Sequence, residues 1–231
     1  MTVYEPFKMP DGLTGDIRLL PSPSLVAFPN ALVPLQLCGP SHGALVRDTL
    51  SDDLLVATTL LEPGWERYAT GCAPVSAMTC LCRVVSHSQT DVDRWNVLLA
   101  GVGRARIRRE LNAEAQYRQA EVKFLEDQYA DATVDLRQDL KLQLIESFQC
   151  HLPDAPTVHQ QIEQLWANPL PLGQLSDVIA FNVHLPPRTK QDLLTELNVD
   201  IRAHMLLDQL TQLRNGQLMA GAPYPPSFSL N

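Results

Sequence analysis

The spacing of hydrophobic and polar positions changes once along this chain, near residues 127–133. Before that point, apolar residues come in short runs bounded by proline, glycine and polar residues. After it, they recur at steps of three and four. The first pattern is typical of β-strands, and the second is typical of helices that bury one face. The sequence therefore predicts an α+β protein whose strand-rich part precedes a helical part.

Strand-like runs fill the first part of the chain. They are residues 17–21, 32–37, 54–61, 74–87, 94–101, 104–110 and 117–125. Proline punctuates the first two runs, as it does in edge strands, and we expect these two runs to pair with each other. Residues 40–50 carry apolar side chains at helical spacing, which predicts one short helix among the strands. Residues 88–93 are polar and predict the loop of a hairpin.

The second part contains apolar stripes at helical spacing, in residues 135–148, 172–183, 187–197 and 206–213. Pro187 suits the first position of its helix, and Thr157 with Gln160 forms a capping box that predicts another helix start. Short loops between such helices indicate a bundle.

These patterns divide the chain into four predicted segments. They are an N-terminal extension at 1–16, a β-rich subdomain at 17–130, an α-helical subdomain at 131–215, and a tail at 216–231. The tail is rich in proline and has no periodicity, so we expect it to be mobile.

Composition narrows the class of protein. Of 231 residues, 45% are hydrophobic and 19% charged, which is typical of a globular protein with a sizeable core. There is no apolar run long enough to span a bilayer and no basic leader, so the chain is predicted to be cytoplasmic with no membrane partner. The cysteines number five, an odd count, and reduced thiols are expected. A formal charge of −8 argues against general nucleic-acid binding.

Three motifs of the first part carry a family resemblance. They are Pro63-Gly64-Trp65-Glu66, Asn96-Val97-Leu98-Leu99, and the Gly101-Val102-Gly103-Arg104 run that follows it. Together they resemble the amino-terminal substrate-binding domain of Lon proteases, and the first two are most similar to its short, stand-alone bacterial members. Asn30 stands where that family usually has glycine, but asparagine tolerates a positive φ, so the turn is expected to survive.

The helical part extends the resemblance to about Arg214. The segments 175–180, 185–186 and 190–199 are similar to the helical subdomain of the same family almost residue for residue. The resemblance implies a twisted, PUA-like β-barrel or sheet followed by an α-helical bundle. It also implies contact with unfolded polypeptide substrates.

No catalytic machinery follows from the residues. The phosphate-binding glycine-rich loop is absent, because none of the lysines, Lys8, Lys123, Lys141 and Lys190, follows a glycine. Each lysine has polar or charged sequence neighbours and is expected to be solvated, which leaves no candidate for a Ser-Lys peptidase. The chain is therefore predicted not to be an enzyme, with no catalytic residues and no cofactor.

Cys80-x-Cys82 is the sharpest local motif, with His87 on the same predicted strand. Residues two apart on a strand share a face, so both sulfurs could point the same way. A structural zinc site needs a second pair of ligands at matching spacing, which is missing. We interpret both cysteines as small buried hydrophobes, with no metal; a thiol nucleophile paired with His87 is the alternative.

Two segments are candidates for binding. Pro63, Trp65 and Tyr68 lie in a turn-rich segment, where aromatic side chains could anchor a peptide or form a lid packed on the barrel. Strand alternation would send Arg104 and Arg106, with Arg108, to one face as a basic stripe that could contact RNA.

The predicted function is a non-enzymatic protein- or peptide-binding module that recognises unfolded or apolar segments or acts as an adaptor. Its expected partner is a polypeptide, and nucleic acid is not expected. Two alternatives stay open: RNA binding through the stripe at 104–109, and a small thiol-dependent or other hydrolase.

Overall fold

The computed structural model describes residues 14–68, 73–111, 115–129, 134–151, 170–216 and 229–230. The chain forms two compact units that meet in sequence between Glu126 and Asp127. Residues 229 and 230 belong to the first unit. The predicted capping box at Thr157, most of the predicted tail and the N-terminal residues up to 13 lie outside the described residues.

The first unit contains the strands and one helix. Its elements are β1 (Thr14–Ser22), β2 (Leu32–Cys38), α1 (Pro40–Ser51), β3 (Leu55–Leu60), a 3₁₀ turn (Trp65–Arg67), β4 (Met78–Asp91), β5 (Arg94–Leu111), β6 (Gln119–Leu125) and β7 (Ser229–Leu230). The predicted start of the strand-rich segment, residue 17, falls inside β1.

Five of these strands close into a small barrel. The strand order is β4-β3-β1-β6-β5-β2-β7, and β4 also pairs with β5, so β1, β3, β4, β5 and β6 form a ring. Inward-facing positions hold a buried apolar cluster of Ile17, Leu19, Leu55, Ala57, Leu81, Ala105, Ala120, Val122 and Phe124. Because alanines alternate with larger residues in this cluster, the barrel can be narrow and still be filled by side chains.

Strand β5 is continuous, although the sequence predicts two strands, 94–101 and 104–110. On one side it pairs with β4, and on the other with β2 and then with β6. Gly101 marks the change of partner: its N–H donates to the Ala31 carbonyl at 2.9 Å, and its carbonyl accepts from the Asn30 N–H at 2.8 Å. A Cβ at Gly101 would lie 2.0 Å from the Phe28 carbonyl oxygen, so this glycine allows a close backbone approach and makes no turn.

The expectation that the first two strands pair with each other is wrong. Strand β1 pairs with β3 in parallel and with β6 in antiparallel orientation, whereas β2 pairs with β5 and β7. The long β5 offers β2 a partner along its whole length, so the two proline-punctuated strands lie on different neighbours.

Several turns in this unit use positive φ. Asn30 has φ 63°, which confirms that asparagine takes the conformation usually left to glycine. The predicted loop at 88–93 is shorter than expected, because β4 extends to Asp91 and the hairpin turns at Val92 and Asp93. Asp93 has φ 53° there.

The second unit is helical in its described residues. Its helices are α2 (Val134–Gln149), α3 (Leu172–Asn182), α4 (Pro187–Thr195) and α5 (Val199–Arg214). Helix α4 begins at Pro187 as predicted, and α5 is capped by Asn198, whose side chain accepts from the N–H groups of Asp200 and Ile201. The α+β class is confirmed. The other described strands precede the helices of this unit, but β7, at residues 229 and 230 of the predicted tail, follows them and pairs with β2.

Candidate functional site

The segment after β3 is held by hydrogen bonds between backbone groups three residues apart in the sequence. Gly64 has φ 84°, and the N–H groups of Trp65 and Tyr68 donate to the carbonyls of Glu62 and Trp65 at 3.2 and 3.1 Å. Proline followed by glycine favours such a reversal because glycine takes positive φ at no steric cost. These hydrogen bonds form a single 3₁₀ turn, and the turn fixes the backbone positions from which the side chains project.

This turn presents apolar groups to solvent. Tyr68 is 51% exposed and Pro63 is exposed, whereas Trp65 is half-buried. The sequence allows two interpretations of Trp65: an exposed anchor for a peptide, or a lid packed on the barrel. A half-buried side chain lies between these two states. A side chain in this state can contribute to packing and still offer one face of its ring to a ligand.

The arginine stripe is not a single exposed face. Arg104 is only 3% exposed, whereas Arg106 is exposed opposite Lys123 of β6. A register shift between Ile107 and Arg109 then interrupts the alternation, and Arg109 donates to Glu121 at 2.7 Å. The prediction that Arg104 and Arg106 share a solvated face is therefore wrong, since Arg104 is buried.

No hydrogen bond or ion pair between described residues joins Arg106 to the turn that carries Trp65 and Tyr68. The candidate residues of the sequence therefore form two separate features.

Cys80 and Cys82 are both fully buried, as predicted, with their sulfurs 3.9 Å apart. Thr58 Oγ1 is also 3.9 Å from the Cys82 sulfur. His87 lies further along β4, where it is exposed, and its ring centroid is 6.1 Å from that of Trp95. Within the described residues there is no group of three or more side chains able to hold a metal ion.

An exposed apolar face was missed by sequence reasoning. Pro34 of β2 lies opposite Leu98 of β5, and both are half-buried, while Leu32 on the same face is 57% exposed. The signal was available, because the run Leu32-Val33-Pro34-Leu35 is apolar on both faces of the strand. A strand with one solvated face normally alternates apolar and polar residues.

Half of β4 also differs from expectation. From Val85 to Asp91 every residue is exposed, and β3 pairs with β4 only as far as Arg83. The sequence predicts a loop at 88–93, which includes most of this stretch, so a strand edge was not expected there.

Of the three lysines in the described residues, one contradicts the prediction, and it lies in the helical unit. Lys190 is expected to be solvated but is only 1% exposed, and its Nζ donates to the Phe181 carbonyl at 2.6 Å. That carbonyl lies in the last turn of α3, where helix carbonyls lack intrahelical partners. The short hydrogen bond and the Phe181 ring, 5.7 Å away, favour the ammonium form. Burial is the larger effect and lowers the pKa of Lys190 to about 6.

A second buried cation belongs to the same unit. Arg202 is fully buried and donates to Asp127 at 2.7 Å and to the Glu196 carbonyl at 2.8 Å. Its Nε also lies 3.4 Å from a carboxylate oxygen of Asp177, which is itself buried. This network joins the start of the unit to α3 and α5, and we interpret it as structural.

Two clefts among the described residues of the helical unit are small. One of about 240 Å³ is lined by residues that include Asp192 and Asp208, and one of about 260 Å³ by residues that include Asp200 and His204. Both volumes fall below the roughly 300 to 1,000 Å³ of ordinary small-molecule sites.

These features define an α+β protein with a small closed β-barrel in one unit and a helical second unit. Residues 16–212 match the family model described as the ATP-dependent protease La (LON) substrate-binding domain. The chain belongs to this family.

Relatives and solved structures agree with that assignment. The chain is 27% identical to Lon protease 2 of Myxococcus xanthus over 86% of its own length and 24% of the relative's. It is 25% identical to a Lon protease of Anaeromyxobacter dehalogenans over 86% of its own length and 23% of the relative's. The chain thus spans about a quarter of the length of these relatives.

The N-terminal domain of the Mycobacterium avium complex Lon protease superposes with a TM-score of 0.67 at 14% identity, covering 85% of this chain and 98% of that one. A Lon N-terminal domain protein from Xanthomonas campestris gives 0.60 at 18% identity, covering 84% and 98%. At these identities the similarity establishes the shared fold. No helix in the described part of the chain combines the length and hydropathy needed to cross a bilayer.

Proposed function

We propose that this chain is a non-catalytic module that binds unfolded or apolar segments of polypeptide in the bacterial cytoplasm. It acts either as a binding protein or as an adaptor that presents such segments to another protein. Membership of the Lon substrate-binding family supports the general role. The proposal that the ligand is an unfolded or apolar segment rests on the turn after β3. In this turn Tyr68 is 51% exposed, Pro63 is exposed and Trp65 is half-buried.

The chemistry of this surface favours a polypeptide ligand. Aromatic groups offer large contact areas with little loss of conformational entropy, and they are enriched at the centres of protein interfaces. Glu66 and Arg67, both exposed, supply opposite charges at the rim. A mixed rim around an apolar centre selects no particular charged sequence, as expected for a site that receives unfolded chains.

The alternative functions have less support. Of the predicted arginine stripe, Arg104 is buried and Arg109 is paired with Glu121, so the stripe offers phosphates fewer arginines than predicted. A thiol hydrolase would need a sulfur that reaches its substrate, and Cys80 and Cys82 are fully buried.

Trp65→Ala tests the proposal. The probe is reduced and carboxymethylated α-lactalbumin, which stays unfolded, and its binding is followed by fluorescence anisotropy. We expect affinity to fall at least about tenfold, as for an interface anchor. Because Trp65 is half-buried, the loss of unfolding free energy should stay below the roughly 3 to 5 kcal/mol of a buried aromatic.

Leu142→Ala is the control, since it truncates an exposed leucine of α2, in the other unit. It should leave both the affinity and the stability almost unchanged. A large loss of stability with unchanged affinity in Trp65→Ala would assign Trp65 to the core of the first unit and would contradict the proposed surface.

A further inference from the structure

Among the described residues, half of strand β4 has no neighbouring strand along one edge. Strand β3 pairs with β4 only through Arg83, and the Val84 N–H still donates to the Leu54 carbonyl at 2.9 Å. Beyond Val84, residues 86–89 and 91 pair with β5 on one side, with register shifts at 85 and 90. Within the part of the chain that the structure describes, residues 85–91 have no strand on the other side. We call this stretch the distal β4 edge.

The orientation of its backbone follows from Pro34. Proline has no N–H, so inside a sheet its nitrogen turns away from the partner strand. Leu98, opposite Pro34, therefore directs its own N–H and C=O toward β4, where it meets Ser86. These groups alternate in direction along a strand. Ser86 and Ser88 thus bond β5, whereas His87 and Gln89 direct their N–H and C=O to the free side.

The two outer edges of this sheet are protected differently. The edge of β2 carries Pro34, and residues 229 and 230 pair with it as β7, opposite Leu35 and Gln36. Proteins commonly block exposed edges with proline, lysine or a covering segment. The distal β4 edge contains no proline, lysine or arginine, and Asp91 is its one formal charge at neutral pH. It is a run of main-chain donors and acceptors open to another extended chain.

The side chains at this edge favour an apolar partner. Ser86 and Ser88 are small, so large side chains of an added strand could pass over them toward half-buried Leu98. Val85 is 41% exposed at the start of the edge. A second copy of β4 would bring mainly serine, glutamine and threonine to these positions, which would leave both apolar groups uncovered.

We propose that the distal β4 edge binds an extended, apolar segment of polypeptide by adding it to the barrel sheet as a further strand. This inference rests on the proposed function and adds a second place of contact, with its manner of binding, to the turn that carries Trp65 and Tyr68. Main-chain hydrogen bonds provide affinity independent of sequence, and alternate apolar side chains provide the preference for unfolded chains.

Amide hydrogen exchange measured by nuclear magnetic resonance tests this mode of binding directly. With saturating carboxymethylated α-lactalbumin, the amide protons of His87 and Gln89 should exchange at least about tenfold more slowly, since they gain acceptors. Those of Ser86 and Ser88 should be protected before the probe is added. Binding of the probe without protection at His87 and Gln89 would overturn the inference and leave the proposed function intact; no binding of the probe would overturn both.

His87→Pro and His87→Ala form a matched pair for the same question. The proline removes an outward N–H, and the alanine removes the side chain and keeps that N–H. We expect the affinity for the probe to fall about tenfold or more in His87→Pro relative to His87→Ala. Equal affinities in two folded variants would overturn the inference. The amide protons of His87 and Gln89 could also exchange slowly without the probe, to a degree that depends on protein concentration. That result would show that a second copy of the chain occupies the edge, and it would overturn the inference.

Discussion

Lys190 should make the unfolding free energy of the helical unit depend on pH. Substitution of this one residue should remove that dependence. Burial lowers the pKa of this amine to about 6 in the folded protein, against an ordinary value near 10.5. Between these values the unfolded chain binds a proton that the folded chain does not. The free energy of unfolding should therefore rise with pH across this window, by about 1.4 kcal/mol per pH unit. From about pH 7 to about pH 9 the gain is about 2.7 kcal/mol.

Lys190→Met keeps a long flexible side chain and removes the titrating group. At about pH 7 this variant should be more stable than the parent, because the parent must lose the Lys190 proton on folding whereas methionine has no proton to lose. Loss of the hydrogen bond to the Phe181 carbonyl offsets about 1 kcal/mol or more of that gain. The difference between the two proteins should shrink as pH rises.

The assay is urea denaturation followed by far-ultraviolet circular dichroism at several pH values. Other groups titrate in the same range, but they contribute equally to both proteins and cancel in the difference. Lys141→Met, which removes a partly exposed lysine of α2, controls for the loss of one positive charge. Parallel stability profiles for Lys190→Met and the parent would refute the reasoning. They would mean that the Phe181 carbonyl and ring hold the ammonium form despite burial.

Two further predictions concern packing and paired charge. Gly101→Ala should cost about 3 kcal/mol of unfolding free energy, because its Cβ would lie 2.0 Å from the Phe28 carbonyl oxygen. Gly103→Ala, with nothing within 4 Å of its Cβ, should change stability by less than about 1 kcal/mol, and similar losses in both variants would contradict the close approach. Arg202→Ala should cost about 3 to 5 kcal/mol by leaving Asp177 buried without its cation. Asp177→Asn in that background should recover part of this loss in urea denaturation; additive losses would show that the two groups are not coupled.

The helical part was predictable in detail because its signals are local. Pro187 can begin a helix whatever surrounds it, and Asn198 caps α5 with its own side chain. The positive φ of Asn30 is likewise a property of one residue in one turn. Such features depend on short-range geometry, which a single sequence contains.

Features that depend on distant partners were not predictable. Gly101 looks like a turn residue in sequence, and only the approach of Phe28 shows that it keeps β5 extended. Lys190 looks solvated, because its neighbours in sequence are polar and its acceptor, the Phe181 carbonyl, belongs to another helix. Arg104 follows the alternation of an exposed stripe, yet it is buried in the fold. In each case the deciding contact joins residues that are separated along the chain.

The free edge of β4 has the same kind of origin. Strand β3 can begin only after the chain has left α1, and it does so through Leu54, whose φ is 65° and whose N–H donates to the Thr49 carbonyl. The first residue of β3, Leu55, then lies opposite Arg83. Because the two strands are antiparallel, the point where β3 starts fixes the point where β4 loses its partner. The length of the exposed edge is therefore determined by the end of α1, about thirty residues earlier in the sequence, and no pattern within residues 85–91 encodes it.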